Sequence, residues 1–465
     1  MPVLQGEPSP GRGSIPAPAL VGGLFSRRQI RSITDGLTNV IIKTGGISII
    51  LCILGMCIFL VKEVIPLFQP PHATLTEPIA LSPLEHPSTS ALIGIDEHQE
   101  LAYALRGDSL EFVFLEEGKS AVSKVPSRGL LPDGSVTALA RALGKGHQLA
   151  MGTEDGRVIP VAIEFTQDFQ GNERSIAQSV TVGTPMVAAP TPQPITKMAY
   201  QSTDSDVRIA ALLQDQHLWL TTSRTASRPD GTAAASITQV DLTPSIPGRV
   251  TAITLASRAE LLAVGTEEGK VYHFDLRESA KPSLVEISQA SEGNEAITAL
   301  AYLMSDRSLV VGDASGQIAV WMPVREHAAT NTTHMTRIHR FVPHQSAVTD
   351  ITISQRDKGF ITTDASGEIR LHHSTSEQTL LTLAPQQGAL RNTYFSPKAD
   401  GLVSLAESNR LVHYHISNPY PEITLRTLFS PVMYEGYDRP ELVWQSSSGS
   451  DDFEAKFSLT PLIFG

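Results

Sequence analysis

Cysteine is nearly missing from this chain: there are two among 465 residues, Cys52 and Cys57. Both lie in one apolar run. Five positions apart on a helix, they point in different directions and do not pair with each other. Beyond that run there is no cysteine, so no disulfide holds the soluble part and no thiol is exposed there. A thiol-free domain is compatible with an oxidising compartment such as the periplasm. Basic charge is scarce as well. The 36 Lys and Arg are outnumbered by 48 Asp and Glu, for a net charge of −12. Residues 1–61 carry +3, which leaves −15 on the remainder. An acidic soluble part repels nucleic-acid phosphates, so nucleic-acid binding is disfavoured and no nucleic-acid partner is expected. P-loops, nucleophile elbows and dinucleotide fingerprints are absent, and no converging catalytic set stands out. The chain therefore does not read as an enzyme, and no cofactor or metal is expected.

One long apolar run is present. Gly45 to Val61 (GGISIILCILGMCIFLV) holds no charge, and Val40–Ile42 and Val64–Phe68 extend it. A span needs roughly 20 apolar residues, so a transmembrane helix over 41–66 is expected, with membrane lipid as its surroundings. Lys43 and Lys62 can reach the two interfaces. Arg27, Arg28 and Arg31 precede the span and determine its topology: residues 1–40 stay cytoplasmic and everything after Pro66 lies outside. A cleaved signal peptide is disfavoured, because its leader would exceed 40 residues and no A-x-A site follows. Lipoprotein processing is disfavoured because Leu51 and Met56, not small residues, precede the cysteines.

The soluble part is rich in turn-formers, with 34 Gly and 31 Pro in the chain, and it repeats. Each copy has an alternating strand, a short polar turn, a more apolar strand, a tight turn and another alternating strand. The clearest copies run Val250–Leu276, Ile297–Trp321 and Val348–His372, turning at Glu267–Gly269, Asp313–Gly316 and Asp364–Gly367. Weaker copies begin at Val136, Ile195 and Leu390, with turns at Gly156, Gln216 and Asn409. The first spans about Leu92 to Phe114 and turns at Gly107–Asp108. Seven copies with turns about 40 to 60 residues apart have the period of propeller blades. The apolar middle strands, with Ala263, Val264, Val310, Val311, Phe360 and Ile361, are expected between blades. Ile423–Leu428 or Ala73–Leu81 would supply a closing strand.

His344 with Val348 and Ile351, Phe395-Ser396-Pro397, and Gly316 to Trp321 make the copies resemble WD40-like repeats. Most copies lack that family's Trp and closing Asp, so its hydrogen-bond network is not assured. The fold expected is mainly β: a seven-bladed WD40-like propeller over 67–430, preceded by a single transmembrane α-helix.

Few residues offer chemistry. His413 and His415 share a strand face, a geometry that can hold zinc, but no third ligand is fixed nearby. His372 and His373 point to opposite faces. The loop with Ser446, Ser447, Ser448 and Ser450 offers hydroxyls to an oxyanion, the one candidate substrate site. Asp451 and Asp452 close it, and a flexible polar linker is the plainer reading. The Asp313–Gly316 turn resembles a calcium loop only as far as any hairpin turn does.

The tail 431–465 holds Tyr434-Glu435-Gly436-Tyr437-Asp438, Trp444 to Gly449 and Phe457 to Gly465. With the block Arg27–Phe68, it resembles the large permease subunits of phosphate-type ABC transporters of Gram-negative bacteria, Leu459, Pro461 and Gly465 matching a Leu-x-Pro-x-x-x-Gly stretch. The resemblance implies an inner-membrane protein with a periplasmic propeller and a linker leading to a helical permease core beyond residue 465. It also implies partner permease and ATPase subunits, a periplasmic substrate-binding protein and phosphate uptake. The helices of a translocation path are not in these residues, so this chain alone transports nothing. The competing reading is a membrane-anchored periplasmic propeller acting as a protein-interaction scaffold or sensor.

Overall fold

The computed structural model describes residues 27–464 apart from 84–89, 108, 116–122, 126–129, 132–133, 171–172, 205, 228–232, 279, 327–331, 386–387, 419 and 448–453. Two compact units divide the chain at Leu67/Phe68. The first contains α1, Arg27–Val64, continued by a 3-10 turn at Ile65–Phe68. At about 1.5 Å per residue, α1 is longer than a bilayer core is thick. It is apolar on every side, with a mean hydropathy of 2.5 in its most apolar window and no described side chain buried there. The helix begins well before residue 41, so the basic cluster is helical and continuous with the apolar run.

The second unit is a seven-bladed β-propeller. Blade 1 uses Ala91–Ile95, Leu101–Arg106, Ser109–Phe114 and Ser123–Val125. Blade 2 uses Val136–Arg141, Gln148–Thr153, Arg157–Gln170 and Glu173–Val182, with Met186–Val187 added at its edge. Blades 3 to 6 are four-stranded antiparallel meanders beginning at Ile195, Val250, Ile297 and Val348. Blade 7 takes Leu390–Phe395, Gly401–Ala406 and Arg410–Ser417 from one end of the unit and His72–Leu75 and Ile79–Ala80 from the other. His72 pairs with Ser417 and Leu75 with Tyr414, while Ile79 pairs with Leu411. Of the two closing segments expected, Ala73–Leu81 therefore closes the ring. Ile423–Leu428 does not, because Thr424 caps a short helix, α2 (Leu425–Phe429), through a reciprocal capping box with Thr427. The seam is held by a buried ion pair, Arg106 to Glu111 at 2.6 Å, which also binds Ser82.

The seven tight turns expected from sequence all contain a residue with positive φ: Gly107, Gly156, Gln216, Gly269, Gly316, Gly367 and Asn409. Such turns match the strand twist and favour residues that tolerate the left-handed region. At Gly367 the choice is enforced twice, since a Cβ would also strike the backbone of Ala389 and Leu390. The middle strands lie between blades as expected. Ala263, Val264, Val310, Val311, Phe360 and Ile361 are all buried.

A second device recurs at the start of the innermost strands. Val136-Thr137, Ile195-Thr196, Val250-Thr251, Ile297-Thr298 and Val348-Thr349 each sit at a register shift. In each, the Thr hydroxyl donates to a carbonyl of the neighbouring strand, at 3.0 to 3.3 Å. The hydroxyl supplies the donor that the bulge removes from the ladder.

Candidate functional site

In each meander the strands alternate direction, so the propeller has two distinct faces. Connections from first to second strand and from third to fourth lie on one, called here the loop face. The tight turns and the links between blades lie on the other, the turn face.

The central channel joins them. Leu139, Met198, Ile253, Leu300 and Ile351 line its waist, from equivalent positions of five inner strands. One residue earlier stand Ala138, Ala252 and Ala299, but Lys197 in blade 3 and Asp350 in blade 6. Burial drives the Asp350 carboxyl up to about 6. Burial, with Arg249 nearby, lowers the Lys197 ammonium, which donates to the Thr251 carbonyl at 2.7 Å. Toward the loop face, Arg141 stacks 3.9 Å from the Tyr394 ring centre and donates to Tyr103 Oη at 2.8 Å. It also donates to the Gly146 and Ile93 carbonyls. Its guanidinium is thus engaged by the protein itself.

The histidines are structural. His344 Nε2 meets Thr362 Oγ1 at 2.8 Å, Thr362 meets His372 Nε2 at 2.9 Å, and His372 Nδ1 meets Thr379 at 3.1 Å. His344 Nδ1 faces Glu368 at 3.1 Å and Asp364 at 3.6 Å. These three residues are close enough to hold a metal ion. However, Asp364 Oδ1 already accepts from the Ser366 and Glu368 amides and the Ser366 hydroxyl, and Oδ2 accepts from Ser346. Asp313 repeats that arrangement with Ser315, Gln317 and Ser291. The network whose Trp the sequence lacks is therefore built in blade 6 with His372 as its outer member. His373 is separate and meets Ser376 at 3.1 Å. His413 Nε2 and His415 Nδ1 share a face as expected, but both meet Gln99 Oε1, at 2.8 and 3.3 Å, where a zinc ligand would be needed.

Of the expected loop site, Ser446 and Ser447 are exposed, while Ser448 and Ser450 lie outside the described residues. Among the topology determinants Arg31 is exposed, and the side chains of Arg27 and Arg28 lie outside the described set. The segments of the tail on either side of that loop are pinned to the propeller. Glu435 accepts from Lys358 Nζ at 2.6 Å and Ser308 Oγ at 2.6 Å, and is nearly fully buried. Glu454 receives the Glu435 amide at 2.8 Å and the Thr375 hydroxyl, and its carboxyl is raised by burial. Asp438 takes the Arg325 amide at 3.0 Å. Sequence reading missed this clasp. Its acids meet partners 77 to 130 residues away, which no local period reveals.

All of these contacts lie on the loop face. His72, paired with Ser417, starts the propeller there, and the tail departs from Ser417 on the same side. On the turn face, Glu154, Asp155, Asp215, Glu267, Glu268, Glu292, Glu295 and Glu407 are exposed. Asp155, Glu268, Glu292 and Glu407 pair with nearby Arg or Lys. Asp215, Glu267 and Glu295 make no ion pair among the described residues.

A family model for the Nucleolar protein 10-like N-terminal domain, a β-propeller, matches residues 237–419. That stretch runs from the last strand of blade 3 through blade 7. No curated protein matches the chain. Among solved structures, the β-propeller domain of Cps50 (Swd1) from Myceliophteria thermophila aligns with a TM-score of 0.48 at 15% identity, over 74% of this chain and 100% of that one. A chain of a mitotic checkpoint complex aligns with a TM-score of 0.48 at 14% identity, over 75% and 96%. These are likenesses of fold.

Proposed function

We propose that this chain is a membrane-anchored β-propeller that docks protein partners on its turn face. One observation carries the reading. The start of the propeller and the clasped tail occupy the same face, which leaves the seven turns of the opposite face uncovered. Rigid blades that present exposed loops suit binding rather than catalysis. The exposed carboxylates Asp215, Glu267 and Glu295, which make no ion pair among the described residues, favour a partner with a basic surface. With α1 as its anchor and the basic cluster inside, the propeller works in the periplasm or its equivalent. The test is photocrosslinking in cells from Asp215 and Glu267, with Arg258 on the loop face as control. Protein adducts from the first two positions, weakened by Glu267→Lys with Glu268→Lys, are expected. Adducts from Arg258 alone contradict the reading.

A second reading has its own support. Leu462, Ile463 and Phe464 are exposed in a short helix, α3 (Thr460–Phe464), within the stretch that resembles phosphate-type ABC permeases. On that reading the propeller is the external domain of a permease subunit for phosphate uptake, working with a second permease, an ATPase pair and a substrate-binding protein. A coding sequence that continues past codon 465 into several apolar spans supports it. A stop codon there removes it.

A further inference from the structure

We propose that the turn-face end of the central channel is a binding site for a small zwitterion, a molecule that carries one ammonium and one carboxylate, as an amino acid does. The inference is independent of protein docking on that face. The cavity lies inside the ring of blades and can be filled whether or not a partner covers the turns.

The first observation is the space. On the turn-face side of the aliphatic waist a cavity of about 260 Å³ is bounded by the inner strands of blades 2 to 6. Blades 2, 4 and 5 contribute only alanine at the level just before the waist, Ala138, Ala252 and Ala299, which leaves room there. The Thr196, Thr298 and Thr349 hydroxyls on its wall already donate to strand carbonyls. Such a space is below the size of a drug-binding pocket and holds either several waters or one small molecule.

The second observation is the charge. At the alanine level, blade 3 carries Lys197 and blade 6 carries Asp350, and both line this one cavity. The two stand three blades apart in a ring of seven, so they approach it from different sides. Arg249, exposed on the link into blade 4, lies near enough to Lys197 to disfavour its charge. Neither cation has a carboxylate partner among the described residues. Lys197 Nζ is held only by the Thr251 carbonyl, at 2.7 Å. Asp350 makes no ion pair among the described residues either. The Ile351 and Thr393 amides serve its carboxylate, and the cation that acts on it, Arg141, is bonded elsewhere. Enclosing charges without partners is costly, and burial pushes both Lys197 and Asp350 toward their neutral forms.

A zwitterion answers all of these groups at once. A free anion meets Asp350 and a domain rich in acid. A free cation meets Lys197 and Arg249, and a neutral molecule leaves every charge unpaired. With its ammonium at Asp350 and its carboxylate at Lys197 and Arg249, a zwitterion pairs all three. The exposed carboxylates around the turns draw the ammonium end in first.

The test is equilibrium dialysis of the full chain in detergent micelles against radiolabelled glycine, 4-aminobutyrate and 6-aminohexanoate. Zwitterions of three lengths are used because the two charges stand on different blades. One of them at least is expected to saturate a single site per chain, with half-occupancy below about 1 mM. Propylamine and propionate, each carrying half of the pattern, should compete at least about tenfold more weakly. Asp350→Asn and Lys197→Met keep the shape of each side chain and should each weaken the zwitterion about tenfold or more, whereas Lys281→Met on the loop face should not. Unchanged urea midpoints for the variants separate lost binding from lost folding. A saturable site that ignores both channel substitutions lies elsewhere and overturns the assignment. Propylamine binding as tightly as the zwitterions leaves Asp350 acting alone and overturns the ligand class. No binding of any of the three at about 10 mM means that water fills the cavity, and overturns the site.

Discussion

Removing the ammonium of Lys358 should free the tail. Lys358 Nζ lies 2.6 Å from Glu435 Oε2, with only 4% and 7% of the two side chains exposed. The lysine also donates to Ser305 Oγ at 3.0 Å and to the Met304 carbonyl. In Lys358→Met, Glu435 keeps its serine donors but loses its only buried counter-charge among the described residues. Glu454, already raised by burial, loses a cation that favoured its charged form. Breaking one side of such a pair costs about 3–5 kcal/mol. The strain need not unfold seven blades, because the tail can detach as a local unit. Hydrogen exchange reads this directly. The Ser458 and Leu459 amides, bonded to Val443 and Leu428 at 3.0 and 2.8 Å, should lose roughly a hundredfold or more in protection, at about 1.4 kcal/mol per tenfold. Blade amides such as those of Val310 and Val311 should change little. Adding Glu435→Gln should restore most of the loss, since a neutral amide still accepts from Ser308. Less than a threefold change in tail protection for Lys358→Met would refute the clasp.

Other perturbations follow from the same geometry. Val311→Asp buries an unpaired carboxylate between blades and should cost several kcal/mol in urea unfolding; a variant that melts like the parent contradicts the register. Thr298→Val removes the hydroxyl that bonds the Gly312 carbonyl at the bulge and should cost about 1 kcal/mol, read as a lower urea midpoint; no change means that water serves the bulge as well. Acid should weaken the propeller above pH 4. Burial lowers His273, His339, His373 and His413 to about 4 and His147 to about 3, so the unfolded chain, protonating near 6.5, takes up protons first. Stability is then whole above about 6.5 and falls as pH drops toward 4. Asp350, raised to about 6, and Glu422 and Glu454, both raised by burial, oppose this with fewer groups. A urea midpoint that is flat or rises between pH 7 and 4.5 contradicts the burial of these rings.

Much of the propeller is legible because its rules are local. A tight turn needs positive φ, so Gly and Asn mark six of the seven turns, and Gln216 was found from the flanking strand pattern. Apolar middle strands such as Leu261–Thr266 and Leu309–Asp313 announce burial on both faces. The Val-Thr and Ile-Thr pairs that open five inner strands carry no such local signal, because the reason for the Thr is a hydrogen bond to another strand. Long-range polar chemistry was hidden. His372 stands in for a tryptophan because Thr362 and His344 reach it across the blade, and Glu435 and Glu454 find partners only after folding. A Ser/Gly/Asp-rich stretch between them reads as linker by composition, although the segments on either side are pinned. Gln99, which gathers His413 and His415, lies over 300 residues away in sequence.

The account's central claim is that the clasped tail covers part of the loop face while the turn face stays open to partners. Cysteine accessibility in native membranes tests it most directly, with Cys52 and Cys57 replaced by Ser. Single cysteines are placed at Asp215 and Glu268 on the turn face and at the buried Leu428 and Ser458 of the tail, and an impermeant maleimide is applied from the propeller's side. The account predicts rapid labelling at 215 and 268, and protection at 428 and 458 that Lys358→Met removes. Equal labelling at all four positions in intact membranes, or protection at 215 and 268 instead, would contradict it.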